Sequence, residues 1–218
     1  METREFKDKV YNELARITKA LSNPHRLEIV AFLAQGPASV EQISKQTNLT
    51  IANASQHLQV LKQAKLTDIS KKGNYVFYKL SNNMVYEVWK GLLGLGASQI
   101  AEVEKLIHDF RHSRQALESV TCLELLDKAK TNDIMILDVR PHEEYEAGHI
   151  SNALSMPYEE LVQKLKDLPK DKEIIAYCRG PLCVMADEAV DLLKKQGFNA
   201  RRLNEGFPDW KILGLPVE

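Results

Sequence analysis

Two of the chain's three cysteines stand five residues apart in Tyr177-Cys178-Arg179-Gly180-Pro181-Leu182-Cys183-Val184, where the apolar run Glu173-Ile174-Ile175-Ala176 hands over to a helix-like stretch, residues 185–197. A cysteine that ends a strand and opens a loop before a helix lies where backbone N–H groups can converge, with the positive end of the helix behind them. Such a field favours thiolate over thiol. The sequence therefore predicts a nest of amides from Gly180, Leu182, Cys183 and Val184 around an ionised, exposed Cys178, with the Arg179 charge at its mouth. A thiolate held this way can take a sulfane sulfur from thiosulfate, a polysulfide or a persulfide. The product is Cys178–S–S⁻, whose terminal sulfur the same donors stabilise.

Phosphoryl transfer calls for a different loop, Cys-x-x-x-x-x-Arg, in which the guanidinium grips phosphate bidentately. Position 184 is Val, so phosphoryl chemistry is not expected. Cys183 admits two readings. It attacks a persulfide on Cys178, as a resolving thiol does, or it points into the sheet as a small apolar residue. Spacing along the chain does not choose between them, because a bridge depends on distances in space. Cys122 reads as packing.

The elements around this loop alternate. Asp133-Ile134-Met135-Ile136-Leu137-Asp138-Val139 and the run ending at Cys178 are unbroken apolar stretches of the kind buried on both faces of a parallel sheet, and Asn199-Ala200-Arg201-Arg202-Leu203 reads as a third strand. Helical segments lie between them: one opened by Thr121 and Glu124 in capping-box spacing, one ending near Pro169, one stopping at Gly197. Strand and helix in alternation from about residue 119 predict an α/β domain.

At 218 residues, 44% apolar and 27% charged, the chain is long enough for two small domains with cores of their own. An odd, sparse set of three cysteines argues against a disulfide framework. No apolar run approaches the roughly eighteen residues of a membrane span, and the start Met1-Glu2-Thr3-Arg4-Glu5 is too charged for a secretory signal. A cytoplasmic protein without a membrane partner or a cofactor is expected. The formal net charge of −1 hides an asymmetry: residues 1–118 carry +4 and residues 119–218 carry −5. Lys45, Lys62, Lys65, Lys71, Lys72 and Lys79 face only Asp68 between Ile43 and Leu80, which points to a polyanion.

That basic segment lies within a helical half. Val10, Leu14, Ile17 and Leu21, then Leu27, Val30 and Leu33, recur at helical spacing around the breaker Ser22-Asn23-Pro24. A short third helix places Val40 and Ile43 inward. A fourth, capped by Thr50, is expected to bury Ile51, Ala54, Leu58 and Leu61 in one stripe. Its other face presents Asn53, Ser55, Gln56, His57 and Gln59, uncharged hydrogen-bonding groups that suit base edges in a major groove, with Lys62 beyond them. Two short strands follow around Lys72-Gly73-Asn74, a hairpin whose Lys71, Lys72, Asn74 and Tyr75 would meet phosphates beside the groove.

The stretch from Ala20 to Ser81, above all Ser22-Asn23-Pro24-His25-Arg26-Leu27, Ser55-Gln56-His57-Leu58-Gln59-Val60-Leu61 and the wing, resembles the ArsR/SmtB family of winged-helix repressors. The resemblance implies a homodimer on a double-stranded, inverted-repeat operator, released by an inducer, with residues 84–112 pairing across the dimer. The family's cysteine motif on the third helix has no counterpart here. A metal alternative rests on His108 and His112, spaced i, i+4 with Asp109 or Glu104 nearby. The second half resembles a rhodanese domain. Cys178 falls on the family's active cysteine. Asp138, Arg140, Glu144, Tyr145, Gly148, His149 and Ile150 match its Asp-Val-Arg, Glu-Tyr and Gly-His-Ile signature, and Gly206 and Trp210 its closing pattern. The expected architecture is thus a mainly-α winged helix-turn-helix domain with a β-hairpin wing over residues 1–118 and an α/β rhodanese-like domain with a parallel sheet over 119–218. Two functions follow from the pair: a repressor that answers to reactive sulfur through Cys178, or a sulfurtransferase localised or autoregulated by its DNA-binding half.

Overall fold

A computed structural model describes residues 2–73, 75–112, 118–131 and 133–218. The chain divides into two compact units, residues 1–93 and 94–218.

The first unit opens with α1 (Thr3–Leu21) and α2 (Pro24–Leu33). Asn23 ends the break between them by accepting a hydrogen bond from the Arg26 N–H, and Pro24 occupies the first turn, where a missing N–H costs nothing. A two-residue strand β1 (Ala38–Ser39) leads into α3 (Val40–Gln46), where Ser39 and Gln42 form a reciprocal capping box. Thr50 caps α4 (Ile51–Gln63) through the Asn53 N–H, as its position predicts. β2 (Thr67–Lys72) and β3 (Tyr75–Leu80) form an antiparallel hairpin with Lys72 opposite Tyr75, and β1 adds to β3 as a third strand. Gly73 takes a φ of +62°, which the turn requires and most side chains disfavour. α5 (Met84–Gln99) follows.

Ile29, Val30, Leu33, Ile43, Ala54, Leu58 and Leu61 fill this unit's core. Ile51 departs from the expected stripe and is 54% exposed, because the first helical position points away from the body the later turns pack on. The apolar face of α1 is also open. Phe6, Val10 and Leu14 line a groove closed by Leu66 and by Met84, Val85 and Val88 of α5.

The second unit contains α6 (Ala101–His112), β4 (Ser119–Val120), α7 (Cys122–Lys128), β5 (Ile134–Asp138), α8 (His142–Glu146), β6 (Leu154–Ser155), α9 (Tyr158–Lys164), β7 (Glu173–Tyr177), α10 (Met185–Lys195), β8 (Ala200–Leu203) and α11 (Phe207–Ile212). The five strands are parallel in the order β4-β8-β7-β5-β6, so β7 is central and flanked on both sides. Alternation along β7 sends Ile174 and Ala176 to one cluster, with α9 and α10, and Ile175 and Tyr177 to the other, with Leu125, Phe207 and Trp210. Cys178 continues the alternation and falls on the α10 side. The capping box predicted at Thr121 and Glu124 is present. The two-residue strands β1, β4 and β6 carry too little pattern to be read from sequence.

Beneath the loop end of the sheet lies a buried ionic network. The Arg140 guanidinium and the Asp138 carboxylate pair at 2.6 Å, both with 0% side-chain exposure. Tyr177 donates its hydroxyl to Asp138 at 2.5 Å and accepts the Ile150 N–H, while Arg140 also donates to the Gly148 carbonyl and sits over the Phe207 ring. Burial and the Asp138 charge push the Tyr177 phenol far above its ordinary range, keeping it a donor.

Candidate functional site

Cys178 follows β7 directly, and the loop after it curls back onto α10. Gly180 takes a φ of +135°, which turns the chain there, and the Cys183 N–H closes the turn onto the Gly180 carbonyl at 3.0 Å. Amides do converge, in a different set from the expected one. The N–H groups of Gly180 and Ala186 favour the Cys178 thiolate, while those of Arg179 and Met185 favour that of Cys183. Leu182 stands out at 56% exposure, the Cys183 N–H is spent inside the turn, and Val184 is the N-cap residue of α10. Spacing alone could not show this, because the turn that consumes the Cys183 N–H is set by the fold of the loop.

Cys178 itself corrects the expectation of an exposed thiolate. It is 4% exposed, and its S–H donates to the Cys183 carbonyl at 3.7 Å. The Cys183 side chain hydrogen-bonds to it, and that neighbour together with burial pushes the Cys178 thiol well above its usual range. Cys183 is half-buried, and its thiol is lowered to about 7 by the hydrogen bond from Cys178, by two backbone N–H groups and by the Arg179 charge. The two thiols therefore titrate as a pair, one ionisation lowered to about 7 and the other pushed well above the ordinary thiol range. Both features read for Cys183 are present: it packs against the core cluster on the α10 side and also hydrogen-bonds to Cys178. Cys122 is buried in the other core cluster, as expected.

Arg179 does not stand free at the mouth. Its Nε reaches both carboxylate oxygens of Glu144, at 2.9 and 3.1 Å, and its Nη2 reaches Oε1 at 2.5 Å. The pair is largely shielded, with side-chain exposures of 21% and 10%. Glu144 comes from α8 and was legible only as part of a signature. Gly206 closes the site from behind: a Cβ there would run into the backbone of Arg179 and Gly180, and the next residue, Phe207, donates its N–H to the Cys178 carbonyl at 3.2 Å. Backbone cannot rotate out of the way as a side chain can. Gly206→Ala is expected to cost about 3 kcal/mol, a fall of roughly 10 °C or more in the melting temperature of a domain this size, measured by calorimetry.

In the first unit Asn53, Gln56, Gln59 and Lys62 are exposed on α4, and Lys71 and Tyr75 on the hairpin. Ser55 is half-buried. Gln59 also reaches the Tyr78 hydroxyl at 3.3 Å. His57 is half-buried, with its ring centroid 5.5 Å from that of His25. Burial, then the charges of Arg26 and His25, push its pKa down and favour the neutral imidazole. Asn74 and the side chains of Lys72 and His112 lie outside the described residues. His108 is exposed beside Asp109 at 3.4 Å, and among the described residues no three metal-binding side chains cluster. No helix among them is long and apolar enough to cross a membrane.

Known proteins match each part and the whole. A family described as a helix-turn-helix domain covers residues 21–69, and one described as a rhodanese-like domain covers residues 121–213. A "Thiosulfate sulfurtransferase GlpE" of Coxiella burnetii is 32% identical over 95 residues, 43% of this chain and 87% of that protein. A solution structure of a homodimeric winged helix-turn-helix DNA-binding domain from Mycobacterium bovis is 29% identical with a TM-score of 0.43, covering 46% of this chain and 91% of that one. An "HTH-type transcriptional regulator Rv0324" of Mycobacterium tuberculosis is 36% identical over 207 residues, 95% of this chain and 91% of that protein. Winged helix, parallel α/β sheet and full-length similarity agree: the chain belongs to the helix-turn-helix transcriptional regulators and carries a C-terminal rhodanese-like domain.

Proposed function

We propose that this DNA-binding regulator is a repressor whose operator affinity answers to reactive sulfur through Cys178 and Cys183. The observation that carries the reading is the thiol pair itself, with Cys178 hydrogen-bonded to a second cysteine whose pKa is about 7. In the first step a thiolate of the pair bonds to the terminal sulfur of a polysulfide, the S–S bond behind it breaks, and the electron pair leaves on the shortened polysulfide. A persulfide formed on Cys178 is then attacked at its inner sulfur by the Cys183 thiolate. A Cys178–Cys183 disulfide forms and HS⁻ leaves, so the persulfide is reduced and the two thiols end oxidised. Either product changes the charge and shape of a loop whose amides were set on two sulfurs.

On the DNA side, α4 enters the major groove with Asn53, Gln56 and Gln59 toward base edges, flanked by Ser55 and His57, while Lys62 and the wing residues Lys71, Lys72, Asn74 and Tyr75 meet phosphates. The exposed apolar groove between α1 and α5 supports a homodimer, since a second copy would cover it, and a dimer fits an inverted repeat. The test is a gel shift on the DNA upstream of the protein's own gene, with and without inorganic tetrasulfide, followed by intact-mass analysis of the cysteines. A shift unaffected by tetrasulfide, with Cys178 nonetheless modified, would sink the sensor reading.

A second reading, a sulfurtransferase that DNA binding localises, draws on the similarity of the second half to the Coxiella enzyme. It predicts multiple turnovers of sulfur to an acceptor such as cyanide or a dithiol, and an operator affinity indifferent to the donor.

A further inference from the structure

Arg179 is the charged side chain nearest the sulfur pair along the loop, and its guanidinium is held by Glu144 through Nε and Nη2 together. A guanidinium so engaged presents its fork to a carboxylate rather than to an incoming ligand. The backbone gives the same answer, because the N–H groups of Arg179, Gly180, Met185 and Ala186 are directed at the two sulfurs and that of Cys183 at the Gly180 carbonyl. A donor ending in a sulfonate needs its oxygens held while sulfite departs. Here the Nε–Nη2 edge of Arg179, the fork that fits such oxygens, is committed to Glu144.

Resting on the persulfide-carrier reading above, we propose that the site selects sulfane donors without an oxyanion end, inorganic polysulfides and hydropersulfides, over thiosulfate, and that Glu144 sets this preference by occupying and neutralising Arg179. Glu144 is a positioning residue: it acts on the donor through Arg179. The two donors load the site by the same bond change. The thiolate bonds to the outer sulfur, and the S–S bond breaks with its electron pair leaving on a shorter polysulfide in one case and on sulfite in the other. Both leaving groups depart as anions, but only sulfite spreads its charge over three oxygens in a geometry that a guanidinium fork can hold bidentately.

The test uses the full-length protein and its Glu144→Gln variant. Each is mixed with tetrasulfide or with thiosulfate, and persulfide on Cys178 is followed by intact mass, with sulfite release as a second readout for thiosulfate. The wild-type protein is expected to load from tetrasulfide at least about tenfold faster, and Glu144→Gln to raise the thiosulfate-to-tetrasulfide rate ratio about tenfold, as removing one carboxylate charge near the leaving group would. The gain should vanish in the double variant Glu144→Gln/Arg179→Gln. A merely structural Glu144 would lower both rates and leave their ratio where it was. Equal loading of the wild-type protein from both donors, or an unchanged ratio in Glu144→Gln, overturns this assignment alone. Loading from neither donor removes the persulfide-carrier reading, and this assignment with it.

Discussion

A Cys178→Ser protein is expected to bind its operator as tightly as the wild type and to lose the response to polysulfide, whereas polysulfide weakens wild-type binding about 5- to 150-fold, the span of a coupling of about 1–3 kcal/mol. The serine hydroxyl can keep the hydrogen bond to the Cys183 carbonyl but cannot carry a sulfane sulfur, so the loop's geometry is retained while its chemistry is lost. Titration of operator DNA by fluorescence anisotropy, with and without tetrasulfide, checks it. A response retained in Cys178→Ser would move the sensor elsewhere on the chain.

The thiol pair gives this experiment a pH signature. Cys183 ionises near 7, so the rate at which the resting protein reacts with iodoacetamide should rise through about pH 7 and fall away below it, where the thiol is protonated. In Cys183→Ser the loop keeps one thiol, Cys178. Loss of the neighbour's negative charge removes a cause that raises the Cys178 pKa, while the Gly180 and Ala186 amides remain. The Cys178 thiol of that variant should therefore ionise more readily than in the wild type. Mass analysis of alkylated Cys178 across the pH range measures the direction.

Arg140→Met is expected to produce the largest loss of stability, about 3–5 kcal/mol, because it strands the Asp138 carboxylate in a site with no solvent access. Tyr177 still donates to Asp138 but cannot supply a compensating charge. The double variant Asp138→Leu/Arg140→Met should lose less than the two single losses added together, since it buries no unpaired ion. Thermal unfolding of the three proteins supplies the comparison. A full additive loss would mean that the pair's hydrogen bonds to Tyr177 and Gly148, rather than the ion pair, hold this end of the sheet.

Much of this architecture was legible in the residues, for local reasons. Thr50, Ser39 and Thr121 stand where a side-chain oxygen can take an orphan N–H at a helix start, so the sequence marks those boundaries directly. Ile174 to Tyr177 could be read as a central strand because a run buried on both faces needs no polar alternation. Ile51 was misplaced because periodicity assigns a helix face without saying which turn the rest of the fold covers. His57 is half-buried with its ring 5.5 Å from that of His25 in α2, a neighbour that sequence distance had hidden.

The loop shows where local reading ends. Residue types alone determined that Cys178 closes a strand, that Val184 bars a phosphate-gripping arginine, and that a second thiol lies five residues on. Tertiary structure decided how the thiol pair ionises and what Arg179 does, because both depend on groups brought from elsewhere: Ala186 at the start of α10, Glu144 from α8, and Gly206 packed behind the loop. Charge and hydrogen bonding act across a few ångströms of space regardless of separation along the chain. Composition and spacing can therefore name the reacting atoms, while only the packed fold sets their protonation and their counter-charge.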